Sequence, residues 1–446
     1  MTVRPYPAYK DSGYEWLGAI PSSWSTRRVS SLFGTVSSGT TPPTEASIYY
    51  GGNICWVTTG ELRECLIEDT EKRVTEDAVR DLSALRVYPS GTLLIALYGA
   101  TIGRLGVLGV EACTNQACCA MAHPTDINVS FAFYCLMAAR EHLVVIASGG
   151  GQPNINQDKI RSLRLPHPSL HEQSAIAAFL DRETGKIDAL VAEQERLMAL
   201  LKEKRQAVIS QAVTKGLSPN AKMKPSGVEW LGEVPNHWEV RTISSLTTKI
   251  TNGYVGPTRD ILTDEGVRYL QSLHIKNNKI TFGVPYYVSQ DWSFEHKKSI
   301  LETGDVLIVQ TGDIGQAAVV TAEFAGCNCH ALIILAPVRW VLDGSWLSWV
   351  LNADYGRHCL LSIQTGALHP HLNCGDVKDV LVPVPPVAEQ RQIVAYIEGV
   401  LASFDELMAE ALRAITLLKE RRAALISAAV TGQIDLRDLT PAEVAA

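Results

Sequence analysis

The residues that could do chemistry do not stand at the spacings that known catalytic sites require. Gly185 and Lys186 come nearest to a phosphate-binding loop, but Ile187 replaces the required Ser or Thr and the upstream glycine is missing. The sequence also lacks a Gly-x-Ser-x-Gly nucleophile elbow, an Asn-Pro-Pro-Tyr-type tetrapeptide and a convincing Asp/Glu/Lys cluster of the nuclease kind. Together with the duplication described below, these absences favour a binding protein over an enzyme.

Cysteine and histidine residues offer one weak candidate for a metal site. Cys327, Cys329 and His330 lie close in sequence, but no second ligand pair follows at a suitable spacing. The ten cysteines include no C-x-x-C pair, which is typical of buried, reduced thiols. The sequence therefore predicts no bound metal.

Composition indicates a large folded protein. The 446 residues are 46% hydrophobic and 20% charged, which suits two to four domains with substantial cores. The first ten residues lack the apolar core of a secretory signal, and no apolar run reaches the roughly 18 residues of a membrane span. We expect a soluble, cytoplasmic protein without membrane contact. The net charge of −7 lacks the basic excess usual in nucleic-acid-binding proteins.

The sequence contains an internal repeat. Residues 10–32 and 224–246 share the frame S-G-x-E-W-L-G-x-x-P-x-x-W, and residues 171–214 match residues 388–431. The middles agree only in outline, as in 89–103 and 302–315, where a turn, an apolar strand and a glycine-rich loop follow one another. A similar framework with a different interior suits two readers of different targets. An old duplication that drifted at random would look the same.

Each copy begins with a predicted mixed α/β (α+β) domain and ends with a long helix. Short apolar runs separated by Gly, Pro and Asn predict strands, and two longer segments predict short helices within the domains. Proline-rich stretches mark the ends of the domains, because proline cannot continue a helix. The strands are expected at 93–97, 306–309 and 331–335, the shorter helices at 130–146 and 346–361, and the boundaries at 165–168 and 382–386.

The long helices carry a seam of apolar residues about 3.5 positions apart, which is coiled-coil spacing. A helix of 44 residues would be a rod of roughly 65 Å, and its apolar stripe needs a partner. We expect the two copies to pack as an antiparallel coiled coil with pseudo-two-fold symmetry. The predicted pairing residues are Leu180, Ile187, Leu190, Leu197, Leu201, Ile397, Phe404, Leu407, Leu418 and Leu425. The basic clusters 202–205 and 419–422 are either a solvated face or a partner surface.

The predicted domain boundaries follow from these segments. They are a first mixed α/β domain at 1–168, a long helix at 169–216, a second mixed α/β domain at 217–386, and a second long helix with a C-terminal tail at 387–446.

The order of these motifs resembles the specificity (S) subunit of type I restriction-modification systems. Glu172-Gln173 and Glu389-Gln390 open the long helices, and Leu-Leu-Lys-Glu-(Lys/Arg)-Arg lies near the end of each. The paired Trp-Leu-Gly openings match as well, so the resemblance covers nearly the whole chain. It implies a non-catalytic subunit in which each variable domain reads one half of a split double-stranded DNA target.

The resemblance also implies partners. In that family the helices set a fixed gap between the half-sites and bind two methyltransferase subunits, and motor-nuclease subunits join this core. The S-adenosylmethionine, ATP and Mg sites then belong to the partners, and this chain carries no cofactor. The partners would supply much of the phosphate neutralisation that an acidic chain cannot.

Loops that follow matched framework but differ between the copies are the candidate base-contacting segments, since Arg can read guanine and Gln or Asn can read adenine. The candidates are Ser38, Thr40, Thr58, Tyr98, Thr101, Arg104 and Gln116 in the first copy, and Asn252, Tyr254, His274, Lys276, Thr311, Gln316 and His330 in the second.

Two other functions remain open at this point. One is a self-contained nucleic-acid enzyme with a cryptic centre. The other is a duplicated coiled-coil scaffold without a DNA role.

Overall fold

The computed structural model describes residues 4–147, 154–366 and 370–437. The chain forms two compact units. The first comprises residues 1–194 and 413–446, and the second comprises residues 195–412. Each long helix therefore contributes its two ends to different units.

The strands of the first unit are β1 (Tyr9–Asp11), β2 (Ala19–Pro21), β3 (Ser25–Arg28), β4 (Phe33–Ser38), β5 (Tyr50–Val57), β6 (Cys65–Ile67), β7 (Arg73–Val74), β8 (Leu93–Ala96), β9 (Leu105–Leu108), β10 (Ala112–Thr114), β11 (Cys118–Pro124) and β12 (Arg164–His167). The helices that begin in it are α1 (Val29–Leu32), α2 (Glu76–Asp81), α3 (Val129–Ala138), α4 (Arg140–Ile146), α5 (Gln157–Ser162) and α6 (Leu170–Lys215).

The strands of the second unit are β13 (Met223–Pro225), β14 (Glu233–Pro235), β15 (Glu239–Thr242), β16 (Thr247–Asn252), β17 (Leu262–Thr263), β18 (Val267–Leu270), β19 (Ile275–Lys276), β20 (Lys279–Ile280), β21 (Tyr287–Val288), β22 (Val306–Val309), β23 (Ala317–Val319), β24 (Asn328–Cys329), β25 (Leu332–Pro337) and β26 (Leu381–Val384). The helices that begin in it are α7 (Ile243–Leu246), α8 (Gln290–Glu295), α9 (Gly344–Asn352), α10 (Asp354–Ser362), α11 (Cys374–Val377) and α12 (Val387–Val430).

The main sheet of the first unit has the order β4-β11-β8-β9-β6. Side chains alternate between its faces, so Ile95 joins the core cluster that contains Phe131 of α3, while its neighbour Leu94 joins a second cluster with Ala120. Because both faces are buried, β8 is apolar along its whole length. A smaller sheet, β10-β5-β7, adjoins it.

The main sheet of the second unit repeats this plan with the order β16-β25-β22-β23. Ile308 faces the cluster around Trp346 of α9, while Leu307 faces a second cluster that includes Ile334. A smaller sheet of order β17-β21-β18-β24 accompanies it. The duplication read from the sequence is therefore a duplication of architecture, and the mixed α/β expectation is confirmed.

The Glu-Gln pairs explain how each domain is joined to its helix. Gln173 is fully buried, donates from Nε2 to the carbonyl of Pro168 (3.0 Å) and accepts the N–H of Asn128 (2.8 Å). Gln390 likewise donates to Pro385 (2.7 Å) and accepts the N–H of Asp343 (2.8 Å). A buried amide with satisfied hydrogen bonds fixes the start of each long helix on its own domain.

Salt bridges show that the long helices pair antiparallel within each unit. In the second unit Arg205 contacts Asp405 (2.5 Å), and in the first unit Arg422 contacts Asp188 (2.9 Å). These contacts are equivalent, because each arginine closes a predicted basic cluster and each aspartate follows a buried seam residue of the other helix. Arg205 and Arg422, one from each cluster, therefore belong to the helix pairing.

The seam itself corrects part of the sequence interpretation. Leu180, Ile187, Leu201, Ile397 and Phe404 are buried, and Leu418 and Leu425 are half-buried.

Leu190, Leu197 and Leu407 do not lie in the seam, because they are 52%, 40% and 46% exposed. The next residue along the chain is in each case less exposed, namely Val191, Met198 and Met408. The residue that faces the partner helix thus lies four positions after the first residue of each heptad, where three positions were expected. An adjacent pair of apolar residues left the pattern ambiguous at these three places.

The shorter helices also differ from expectation, since each breaks in two. The expected helix 130–146 divides into α3 and α4, which are bent by 57°, and the expected helix 346–361 divides into α9 and α10. At the second break Ala353 is extended, and Gln206 and Ser210 of α6 hydrogen-bond the side chain of Asp354 at the start of α10. In the described ranges no single helix could span a membrane, although the bent pair α3–α4 passes that test by length and composition.

Candidate nucleic-acid interface

Strand directions in the first unit bring several loops to one sheet edge. β4 ends at Ser38 and β11 begins at Cys118, and the register pairs Cys119 with Ser38 and Cys118 with Ala96 at the end of β8. The segments that follow β4 and β8 and precede β11 therefore emerge at the same edge, which we call the first recognition edge.

All seven sequence-predicted residues of the first copy lie along the first recognition edge. Thr58 lies there because its neighbour Val57 accepts at its carbonyl the N–H of Asn115, which belongs to the segment before β11 (3.0 Å). Arg104 lies there because its carbonyl accepts the N–H of Ala96, the last residue of β8 (2.9 Å). Tyr98 is 42% exposed. The full set is Ser38, Thr40, Thr58, Tyr98, Thr101, Arg104 and Gln116.

Local hydrogen bonds hold these side chains in place. Thr58 donates its hydroxyl to Glu61 (2.7 Å), and Thr101 donates to the Tyr98 carbonyl (2.8 Å). Thr41 hydrogen-bonds Gln116, which is exposed. The edge is thus a set of ordered loops that present exposed or half-buried polar groups, which suits contact with base edges.

The second unit has an equivalent second recognition edge. β16 ends at Asn252, which pairs with Ile333 near the start of β25, and Val309 at the end of β22 pairs with Leu332. This register brings together five of the seven predicted residues of the second copy, namely Asn252, Tyr254, Thr311, Gln316 and His330. Tyr254 and His330 form a backbone bridge there.

One glycine in each unit permits the close chain approach at these edges. A Cβ atom on Gly39 would lie 1.8 Å from the carbonyl oxygen of Thr114, and one on Gly253 would lie 2.4 Å from that of Cys329. The residues that follow, Thr40 and Tyr254, donate their N–H groups to the same two carbonyls (3.1 and 2.9 Å). The framework of the edge is therefore shared, while its side chains differ.

One predicted contact in the second copy requires correction. His274 is fully buried, accepts the N–H of Gln271 at Nδ1 and donates from Nε2 to the Val284 carbonyl, both across 2.8 Å. Burial lowers the pKa of His274, so it is a neutral core residue and has no free nitrogen for a base. Lys276 is exposed in the β19–β20 hairpin, and its contact with DNA stays a prediction.

The sequence interpretation missed one residue at each edge. The Ser38 N–H donates to Oε1 of Gln157 (3.0 Å), and the thiol of Cys374 contacts Oδ1 of Asn252 (2.8 Å). Gln157 and Cys374 follow Asn156 and Asn373, which align between the copies. That alignment was the available signal, because a matched framework residue marked the position of a differing neighbour.

Burial makes the histidine and cysteine side chains near the edges less ionisable. Burial lowers the pKa of His330, whose Nδ1 lies 3.3 Å from the Tyr269 hydroxyl, and raises the pKa of Cys327 to about 11. Eight cysteines are buried, but Cys65 is exposed and Cys374 is half-buried, which corrects the expectation for these two. Among the residues that the structure describes, no group of three or more His, Cys, Asp or Glu could hold a metal ion.

Comparison with known proteins agrees with this duplicated architecture. The type I restriction enzyme MjaIX specificity subunit of Methanocaldococcus jannaschii is 23% identical over 441 residues, which cover 95% of this chain and 96% of that protein.

Solved structures agree at the level of the fold. A chain from the structure on complex assembly and conformational transition of the type I R-M system has a TM-score of 0.71 and 16% identity, with coverage of 92% of this chain and 98% of that one. The HsdS subunit from Thermoanaerobacter tengcongensis has a TM-score of 0.56 and 17% identity, with coverage of 95% and 100%.

The family model for the type I restriction modification DNA specificity domain matches residues 21–197 and again residues 235–417. These two matches together span well over half of the sequence and fall once on each copy. The chain therefore belongs to the family of type I restriction-modification DNA specificity proteins.

Proposed function

We propose that this chain reads a bipartite DNA target, with one half-site at each recognition edge and a non-specific gap of fixed length between them. The observation that carries the proposal is the repeated edge. The β4-β11-β8-β9 and β16-β25-β22-β23 arrangements are equivalent, yet the loops they present differ in sequence. Two equivalent scaffolds with different side chains suit two different short sequences.

In this proposal the recognition domains are residues 1–168 and 217–386, and the helical segments are residues 169–216 and 387–446. The helices act as a spacer, because an α-helix advances about 1.5 Å per residue and keeps its length. Half-sites about one turn of DNA apart, roughly 34 Å, would lie on one face of the duplex. The gap is then a property of the helices and not of the loops.

The proposal assigns catalysis to partners. Two methyltransferase subunits would dock on the helical segments, and motor-nuclease subunits would join that core. S-adenosylmethionine, ATP and Mg would be bound by those partners. This division accounts for the net charge of −7, because the partners would supply much of the contact with DNA phosphates.

The test is to co-express the chain with the methyltransferase of its own system and to map methylated bases by single-molecule sequencing. We expect a split motif with a constant gap. A single uninterrupted motif would contradict the two-reader proposal. Methylation or cleavage by the purified chain alone would support a self-contained enzyme. A well-folded, co-purifying complex that neither binds nor methylates DNA would support the scaffold alternative.

A further inference from the structure

The short helices α2 and α8 are counterparts in the two units. Thr75 and Ser289 cap them, and each side chain accepts the backbone N–H three residues later, at Ala78 and Trp292. Each helix has six residues, and α8 begins 214 positions after α2, the same separation as that of Trp16 and Trp230. The segments that leave the two helices can therefore be compared residue by residue.

The residues that follow these helices differ sharply in charge. After α2 the chain continues as Leu82-Ser83-Ala84, and after α8 it continues as His296-Lys297-Lys298. Lys297 and Lys298 are exposed, and their ammonium groups have no hydrogen-bond or ion-pair partner within the part of the chain that the structure describes. The second unit thus presents two adjacent lysines at positions where the first has uncharged residues.

Aromatic contacts place this basic segment beside the second recognition edge. The imidazole of His296 stacks on Trp292, with centroids 3.9 Å apart and planes inclined by 14°, and lies edge-on to Tyr254 at 5.2 Å. Its Nδ1 donates to the Trp292 carbonyl (2.8 Å), which fixes the ring. Tyr254 is one of the residues that the sequence analysis predicted to contact DNA.

Packing places Lys298 at the same edge, because the turn Lys297–Ser299 contacts β16, the strand that ends at Asn252. Burial raises the pKa of Cys374, and the nearby positive charge of Lys298 opposes that increase. Cys374 in turn contacts Asn252 at the end of β16 (2.8 Å). Lys298 therefore lies close to the predicted base-contacting side of the sheet.

A buried asparagine holds the basic segment in a defined conformation. Asn328 is fully buried, donates from Nδ2 to the His296 carbonyl (3.3 Å) and to the Ser299 hydroxyl (3.0 Å), and accepts the hydroxyl of Ser293 (2.5 Å). The hydrogen bonds of Asn328 thus fix the turn between Ser293 and Ser299 on both sides of the two lysines. A fixed backbone reduces the entropy lost when the lysines are ordered by a ligand.

We propose that His296, Lys297 and Lys298 form a phosphate-binding segment with which the second unit holds the DNA backbone beside its half-site. This inference rests on the proposed function. The ligand is the duplex phosphate backbone, because two exposed lysines bind anions and carry no means of identifying a base pair, while the fixed ring of His296 positions them. The first unit has Leu82-Ser83-Ala84 at these positions, so the two units would differ in their electrostatic share of binding.

The test uses the complex of the full chain with its methyltransferase subunits and a duplex that carries the mapped target. The variant H296L/K297S/K298A gives the second unit the residues of the first. The control R339A/K378A also removes two exposed positive charges from the second unit. These charges lie near the start of β16 and the end of β25, at the opposite end of the sheet from the second recognition edge. The dissociation constant is measured between about 50 and about 200 mM salt.

Removal of two phosphate contacts should reduce the slope of log K against log salt by about 2, so that wild type loses about tenfold more affinity than the variant over that range. The control should keep the wild-type slope, and the methylated motif should be the same in all three proteins. An unchanged slope in the variant overturns the inference and leaves the proposed function intact.

Loss of the methyltransferase subunits from the variant would also overturn the inference, because the segment would then be a protein interface. A wild-type complex that shows no preference for any duplex would instead overturn the proposed function, and this inference with it.

Discussion

The indole Nε1 of Trp24 donates a hydrogen bond to Oε1 of Glu172 across 3.0 Å, and the Tyr6 hydroxyl donates to the same oxygen across 2.7 Å. The second unit repeats the first of these contacts between Trp238 and Glu389 (3.1 Å). The tryptophan of each opening motif is thus bonded to the glutamate that opens the long helix. Two short motifs that lie about 150 residues apart are one structural unit.

We predict that Trp24→Phe lowers the free energy of unfolding of the first unit by about 1 to 3 kcal/mol, because a buried carboxylate loses a donor. Trp238→Phe is the matched change in the second unit and should have a similar effect. Chemical denaturation followed by circular dichroism measures both. If neither variant unfolds at lower denaturant than wild type, the tryptophan–glutamate hydrogen bonds do not stabilise the two units.

His274 predicts a dependence of stability on pH. Burial lowers its pKa, so below the ordinary value of about 6.5 the unfolded chain takes up a proton that the folded chain does not. The stability of the second unit should therefore be full above about pH 6.5 and should fall as the pH is lowered toward the folded-state pKa. Thermal unfolding at pH 7.5 and 5.5 measures this.

The variant His274→Gln is the control, because it cannot take up that proton. Its melting temperature should fall less between the two pH values than that of wild type. An equal fall in both proteins would assign the pH dependence to other groups.

The position of the helix seam can be tested with two neighbouring leucines. Leu201 is 7% exposed and Leu200 is 52% exposed. Leu201→Ala should destabilise the second unit by about 2 to 5 kcal/mol, the usual cost of emptying a core position. Leu200→Ala should change stability by less than about 0.5 kcal/mol. Equal effects of the two substitutions in a denaturant titration would contradict the seam.

Arg104 provides a test of the first recognition edge. Arg104→Ala should relax the sequence preference at one position of one half-site, at a cost of about 1 to 3 kcal/mol. The other half-site and the gap should stay the same. Methylation mapping of the variant complex reads all three features together, and a change in both half-sites would show that Arg104 acts on folding or assembly.

The proposed spacer role of the helices makes a separate prediction. Four residues inserted in α6 near Gln194 add about 6 Å of helix, which is close to two base pairs at about 3.4 Å each. The tolerated gap should lengthen while both half-sites stay unchanged. A new half-site at the old gap would contradict the spacer role.

The sequence predicted the duplicated plan because matched framework recurs at a nearly constant separation. It placed the edge loops correctly in outline because they follow strands whose apolar character is plain, such as β8 and β22. It misplaced the inner seam position by one residue at Leu190, Leu197 and Leu407, since an apolar neighbour follows each. Local patterning cannot decide which of two adjacent apolar residues faces a partner helix.

Tertiary contacts accounted for the remaining differences. His274 looks like an available histidine in sequence, and only the backbone groups of Gln271 and Val284 make it a core residue. Asn328 gave no sequence signal, because the residues it holds are about 30 positions away. Such contacts depend on how strands pair, and periodicity carries no information about them.

Each compact unit is completed by the end of a helix that belongs to the other copy of the repeat. A single copy would therefore leave its whole helix seam without a partner, and the first domain would lack the core contacts that Ile426, Ala429 and Val430 supply. Such a half-length chain gains those contacts only from a second molecule of itself. The chain is in this sense built like a covalently joined dimer of two similar halves, in which neither half is complete without the helix of the other.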